Sequence, residues 1–335
     1  MLNRRTLRIK AMQAIYAFKH GQSSDMQLSK DLIKKEADLC SENMNKDIEN
    51  IYDEYLLVLL LLISLSDFVE IEEKEKKERL VKSEPTPEKK LKFFTNQVIK
   101  KLRINKALQK ESVKLVLSDS EGTPKLYPTD HLVRDLYKKV LKKDKKYLEY
   151  LELNESSFEE DMQIIKHLLK RVILKAAVTT SYFEDRDMSW PENKYIVESL
   201  LNTVRSVTNE SNGSFPLAVL SQNWKEDKIF FENLYKKTID NDDEYDKLVA
   251  KKVKNWAIER IAAIDRILLK MAISEMINFQ DIPVNVTINE YIEIAKLYST
   301  PKSKEFINGI LDNIAKTLAK KGMIKKSGKG IIDNK

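Results

Sequence analysis

The sequence predicts an all-α fold, a helical bundle domain plus an additional helical region, and three observations carry that expectation. Apolar residues recur at three- and four-residue steps along most of the chain, the mark of amphipathic helices. Lys, Glu, Leu and Ile dominate, and only seven Gly and eight Pro punctuate 335 residues, a balance that favours helix. The breaks fall in short clusters and leave long helical segments between them.

Residues 1–21 read as the first helix. Leu7, Ala11, Ala14, Ile15 and Phe18 form its packing stripe. Arg5, Arg8 and Lys19 flank the stripe, on the edge that also carries Met12 and Tyr16. Guanidinium groups fork onto phosphate oxygens or stack on bases, so a short basic helix is a workable RNA surface. Taken alone, such a cluster is more often a solvated face.

Residues 22–69 hold two further helical segments, the second ending in the run YLLVLLLLISL from Tyr55 to Leu65. That run is too short for a membrane span and sits between Glu54 and Asp67, which makes it a buried core helix. Residues 70–92 are highly charged and contain Pro85 and Pro87, as a solvated helix followed by a break would. Residues 93–117 form another helix, and Ser118–Asp130, with Gly122, Pro124 and Pro128, is the clearest loop. Asp135–Lys139 (DLYKK) nearly recurs as Asn233–Lys237 (NLYKK), and Leu168–Lys170 (LLK) as Leu268–Lys270. A decayed duplication and the plain similarity of lysine-rich helices both account for this. Asn209–Gln222 is a second loop. Asp240–Asp246 (DNDDEYD) lacks the glycine and glutamate of a calcium loop, with Tyr245 and Lys251 in their places, and reads as an acidic helix start.

The C-terminal third is the most regular stretch. Ile261, Ile264, Leu268, Met271 and Ala272 share one side of a helix, and Asp265 is a candidate cap within it. Pro283 breaks the pattern. Thr287–Glu290 (TINE) fits a capping box, with Ile288, Ile292 and Ala295 turned inward and the helix ending near Ser299. Thr300 then caps a last helix with Pro301 in its first position. Phe306, Ile307, Ile310, Leu311, Ile314 and Leu318 give it a wide apolar stripe, and Gly309 inside the stripe suggests a close helix contact. Lys302 and Lys304 in its first turn oppose the helix dipole by roughly 0.3–1 kcal/mol each, which suits a phosphate site and equally suits flexible lysines that turn away into water.

Several function classes are disfavoured. The scattered glycines form no phosphate loop, and His20, His131 and His167 have no ligand spacing. The single Cys40 rules out an internal disulfide and a cysteine-cluster metal site. No catalytic residue, metal site or cofactor is expected, and the chain reads as non-enzymatic. The start has no secretory signal pattern, so a cytoplasmic protein is expected. A net charge of +7 suits a polyanionic partner, as it does plain solubility.

The order of the C-terminal pieces is more specific than their chemistry. W-x-x-x-R-I-x-x-I-D-R-x-x-L-K-x-A-x-x-E from Trp256, then P-V, then I-N-E-x-I-E-x-A-K, then F-I-N-G-I-L-D, resembles the NusB family of bacterial transcription antitermination factors. RRTLRIKAMQAIYAF near the start is similar to that family's N-terminal basic helix. The resemblance implies a helical domain of two small three-helix bundles, made from residues 1–22 and 225–320. Residues 23–224 would be an extra helical insert and 321–335 a basic, flexible tail. It implies binding of boxA-like RNA together with the small-subunit ribosomal protein that serves as NusE, in the transcription elongation complex on ribosomal RNA genes, with no membrane role. Carried over by position, Arg4, Arg5, Arg8, Lys302, Ser303 and Lys304 would face RNA, and Tyr16, Glu259 and Asp265 the protein partner. The first helix would pack on the C-terminal helices and join the two basic elements into one continuous surface. Two rivals stand beside this reading: a protein-binding helical scaffold, and a stand-alone relative of the NusB-like domain of ribosomal RNA methyltransferases.

Overall fold

The computed structural model describes residues 2–21, 30–79, 91–116, 128–184, 194–253 and 261–331. No strand occurs among them, and the fold class is all-α as the periodicity requires. The chain forms two compact units, a middle unit of Glu49–Leu220 and a terminal unit of Leu2–Ile48 with Ser221–Lys335. Helix α1 is Arg4–Gly21 and α2 is Lys30–Arg79, whose first part belongs to the terminal unit and whose remainder belongs to the middle unit.

In the middle unit α2 is followed by α3 (Lys92–Thr95), α4 (Gln97–Arg103), α5 (Lys106–Val116), α6 (Asp130–Asp135), α7 (Lys145–Glu152), α8 (Phe158–His167), α9 (Ala177–Glu184) and α10 (Lys194–Ser206). The leucine run is buried from Tyr55 to Leu62 and again at Leu65, with Ile63 and Ser64 half-buried. It is a core helix, and no helix of the described residues is long and apolar enough to cross a membrane. A buried polar cluster ties three helices together. Asn96 accepts from the backbone N–H of Val98 and Ile99 and donates to the Tyr150 hydroxyl and the Asp161 carbonyl. Asp161 in turn accepts from Tyr150 at 2.7 Å and from the Gln97 N–H at 2.8 Å.

Two helices of this unit end in the same unusual way. A π turn at Leu136–Val140 and a 3-10 turn at Leu141–Lys143 follow α6, and Leu168–Val172 and Ile173–Lys175 repeat that order after α8. The segments 233–237 and 268–270, similar in sequence to parts of these, lie in regular α-helix. The recurrence in structure is therefore between 136–143 and 168–175, a pairing that the sequence comparison with 227–275 did not find.

The terminal unit consists of α1, the start of α2, and α11 (Trp224–Asp240), α12 (Asp242–Ala250), α13 (Ala263–Asn278), α14 (Val284–Tyr298) and α15 (Ser303–Lys320). Helix α13 is its centre, packing against α1, α11, α12, α14 and α15, with Ile267 through Met276 buried without interruption. The stripe of α1 meets this core, with Leu7 and Ala11 at 0% exposure and Ile15 at 1%. Residues 30–48, expected with the insert, belong here instead. Met44 and Ile48 join the same core, Tyr235 donates to the Ala37 carbonyl, and Asn45 donates to Glu232.

Four local expectations are corrected. Helix α13 starts at Ala263 with Ala262 in the cap position, so Asp265 does not cap it. Helix α14 starts at Val284 behind Pro283, and Thr287 and Glu290 form no capping box because both side chains serve other partners. Regular α15 begins at Ser303, after a turn at Pro301–Lys302, rather than at Pro301. Gly309 is exposed, and an added Cβ there would meet nothing within 4 Å.

The basic tail also departs from expectation over residues 321–331. Gly322, at φ +66°, ends α15 with the paired bonds Met323 N–H to Leu318 O and Gly322 N–H to Ala319 O. That left-handed glycine reverses the chain. Ser327 then donates its N–H to Gln280 O, and Lys326 donates to Phe279 O at 2.8 Å. Gly330 lies so close to this turn that a Cβ would stand 2.1 Å from the Gln280 oxygen.

Candidate nucleic-acid interface

Asn3 starts α1 by accepting the Thr6 N–H, and the helix then presents three arginines in different settings. Arg8 points into the core. Its side chain is 2% exposed, and its Nε and Nη2 donate to the two oxygens of Glu275 at 2.8 and 2.7 Å. Thr287 and Tyr291 add hydroxyl bonds to the same carboxylate at 2.9 and 3.2 Å. Burial alone opposes a charged Arg8, but the Glu275 carboxylate outweighs it and raises the guanidinium above its ordinary pKa. Burial, and then Glu275, raise the Tyr291 hydroxyl well above the usual range. Arg8, expected to face RNA, is thus placed as a structural group, its guanidinium sealed below the surface against Glu275.

Arg5 and Arg4 are reachable but engaged. Arg5 forks onto Glu290 at 2.9 and 2.8 Å with its side chain 32% exposed. Arg4, 40% exposed, lies 4.3 Å above the Phe230 ring and 3.5 Å from an Asp227 oxygen. Both hold their guanidinium groups at the surface in fixed orientations, which favours recognition of a planar or anionic ligand.

The other basic element is built differently. Asp265, nearly buried in the first turn of α13, accepts from Ser299 at 2.6 Å and from Ser303 at 2.7 Å. Ser303 also meets Thr300 at 2.8 Å. These bonds fasten the α14–α15 junction to α13. Ser303, expected to face RNA, and Asp265, expected to face the protein partner, are both buried, at 3% and 5% exposure, and bonded to each other. Lys302 and Lys304 flank the buried serine and are exposed. Lys302 has no ion pair among the described residues, and Lys304 has only Glu305 at 4.0 Å.

Within the unit, the α1 arginines Arg8 and Arg5 hold Glu275 of α13 and Glu290 of α14, and the junction that carries the lysines is tied to Asp265, ten positions before Glu275 on α13.

Of the expected partner-facing residues, Tyr16 is 41% exposed, with its ring centroid 4.1 Å from that of His20. Glu259 lies outside the described residues. On the neighbouring side, Lys19 and the buried Lys270 share Asp242, at 2.6 and 2.7 Å, while Lys270 and Arg266 share Asp246. The acidic run at 240–246 is thus a helix start whose carboxylates hold cations of α1 and α13. Among the described residues there is no group of three or more side chains suited to a metal ion.

Sequence reasoning missed the counter-ions. Glu275 closes the first quoted motif and Glu290 lies in the third, yet neither had a role assigned. An acid inside the otherwise apolar, fully buried run of α13 was the available signal, since a buried carboxylate requires a partner.

Comparison with known proteins bears on the same unit. The profile described as the NusB family matches residues 195–316, beginning earlier than the sequence motifs suggested and leaving out α1. A protein of Salinibacter ruber named transcription antitermination protein NusB is 46% identical over 103 residues, 31% of this chain and 64% of that protein. A protein of the same name from Dictyoglomus turgidum is 42% identical over 106 residues, 32% of this chain and 72% of that protein. The solved structure of T. maritima NusB is 28% identical, covering 45% of this chain and 89% of that one, with a TM-score of 0.27. The chain therefore spans less than two thirds of the Salinibacter protein's length.

Proposed function

The chain belongs to the NusB family, and from that premise we propose that it is a non-enzymatic transcription antitermination factor. It binds boxA-like RNA together with the small-subunit ribosomal protein that serves as NusE, within the elongation complex on ribosomal RNA genes. The terminal unit carries this role, and the residues committed to RNA are Arg4, Arg5, Lys302 and Lys304. The observation that carries the reading is the contrast between these four and their buried neighbours. Arg8 and Ser303 are sealed into bonds with Glu275 and Asp265, while the residues beside them keep their charges at the surface. A folding role explains the first set, and it leaves the exposed, unpaired Lys302 without a reason.

Tyr16 is the anchor on the protein side. It is exposed on α1, and rigid aromatic side chains of that kind dominate interface energies. The test is a pull-down of the full chain with a boxA-like leader RNA and the ribosomal protein. Wild type retains both, Tyr16→Asp loses the protein with its thermal unfolding unchanged, and Lys302→Ala with Lys304→Ala loses the RNA. Retention of both ligands by both variants overturns the proposal.

A further inference from the structure

We infer that the middle unit carries a second polyanion site, a groove between its two matched π-to-3-10 helix ends that binds the phosphate backbone of single-stranded RNA. The groove has a volume of about 340 Å³, and Lys139, Lys143, Arg171 and Lys175 line it, all exposed. Lys139 and Lys143 come from the first of the matched segments and Arg171 and Lys175 from the second. The same local geometry thus delivers a pair of cations to each wall.

Charge balance separates this groove from an ordinary lysine-rich surface. Lys139 is paired with Asp135 at 2.8 Å, and the neighbouring Lys142 with Glu72 at 3.1 Å. Lys143, Arg171 and Lys175 have no carboxylate partner among the described residues. The one acid lining the groove, Asp144, is already spent: it accepts the Tyr147 N–H at 2.8 Å and meets His167 Nε2 at 3.0 Å through both oxygens. A cation at the end of a helix is favoured by the dipole, which accounts for one basic residue at each end. It does not account for two such ends facing one concavity, where their side chains repel each other unless an anion lies between them.

The chemistry of the walls selects the kind of anion. Helix C-termini carry partial negative charge, so a lone phosphate seated deep in the groove is opposed, while lysine and arginine tips reach clear of it. A chain of phosphates lying across those tips is the better match. The choice of RNA over other polyanions rests on the function proposed above, whereas the groove rests on the middle unit alone.

The test measures anisotropy of a fluorescein-labelled oligouridine, free of boxA-like sequence, on the full chain at several salt concentrations. The combined Lys143→Ala, Arg171→Ala, Lys175→Ala variant is expected to bind more weakly. Its slope of log affinity against log salt should be shallower by about 0.7 for each of the three lost contacts. A charge-matched control on α5, Lys106→Ala with Lys110→Ala and Lys114→Ala, should keep the wild-type slope, and Lys143→Arg with Lys175→Arg should retain binding. An unchanged slope in the groove variant, or an equal loss in the control, overturns the site. Displacement of the RNA by oligoglutamate as readily as by unlabelled oligouridine overturns the nucleic-acid assignment. Loss in Lys302→Ala with Lys304→Ala but not in the groove variant sinks the groove and leaves the function above standing. The opposite pattern supports the groove as the site that holds this boxA-free RNA.

Discussion

Arg8 and Glu275, 267 positions apart in sequence, form a two-pronged ion pair whose members are 2% and 0% exposed. Thr287 and Tyr291 donate to the same carboxylate and add to its compensation. Removing one member of such a pair leaves a buried, uncompensated charge and costs about 3–5 kcal/mol, whereas replacing both with apolar groups is often neutral. Arg8→Met should therefore lower unfolding free energy by that amount in urea titrations, and the Arg8→Met, Glu275→Leu double variant should recover most of it. A single variant with full stability would contradict the structural role assigned to Arg8.

Asp265 holds the junction of α14 and α15 through Ser299 and Ser303. Hydrogen bonds to a charged group contribute about 1.5–3 kcal/mol each. Asp265→Ala should thus reduce stability by a few kcal/mol, and Asp265→Asn, which keeps an acceptor, by less. Hydrogen exchange should quicken at 299–303 in both variants. Loss of ribosomal-protein binding in a fully stable Asp265→Ala would restore the interface role.

These two anchors also mark how far the sequence could be read. The helices were legible because the stripes of α1 and α15, with Leu7, Ile15, Ile307 and Leu311, keep the helical period and are buried. The residues that close long-range pairs were not, because Arg8 looks in sequence like its neighbours Arg4 and Arg5. Only packing against α13 separates the buried guanidinium from the exposed ones. The same limit produced the capping-box reading of Thr287 and Glu290: the local pattern was right, but both side chains had stronger distant partners in Glu275 and Arg5. The fold of the π-to-3-10 ends was illegible for a different reason, since nothing in KKVLKK or KRVILK departs from ordinary helix formers.

The Lys270–Asp246–Arg266 network gives the terminal unit a pH dependence of known sign. Burial pushes the Asp246 carboxyl upward, but the bonds from Arg266 and Lys270 outweigh it and hold it below the usual carboxylate value. A depressed folded pKa contributes stability that is fully present above the unfolded value, about 3.9, and is lost as pH falls through the folded one. Urea unfolding of wild type should therefore weaken on acidification below about pH 4. Asp246→Asn should be less stable at neutral pH and show a flatter acid limb. An identical acid limb in both proteins would assign the dependence to other carboxylates.

The two basic points of the terminal unit should respond differently to substitution, because only one is engaged. Lys302 is exposed and unpaired among the described residues, so Lys302→Ala removes a phosphate contact and nothing else. Its slope of log affinity against log salt on a boxA-like RNA should become shallower by about 0.7. Arg5 already donates two bonds to Glu290, and to reach phosphate it must share or exchange them. Arg5→Ala should therefore flatten the slope by less, and it also leaves Glu290 facing Arg8 alone, at 3.7 Å. Arg5 holds Glu290 on α14, while Lys302 follows the end of that helix and shares no partner with Arg5 among the described residues, and substitutions without shared partners usually do not couple. The free-energy losses of the two variants should add within about 0.5 kcal/mol in the double variant. An RNA too short to reach both side chains should feel one substitution and not the other. Strong non-additivity on a long RNA, or equal sensitivity of the short one to both, would show that the arginines and lysines act as a single patch.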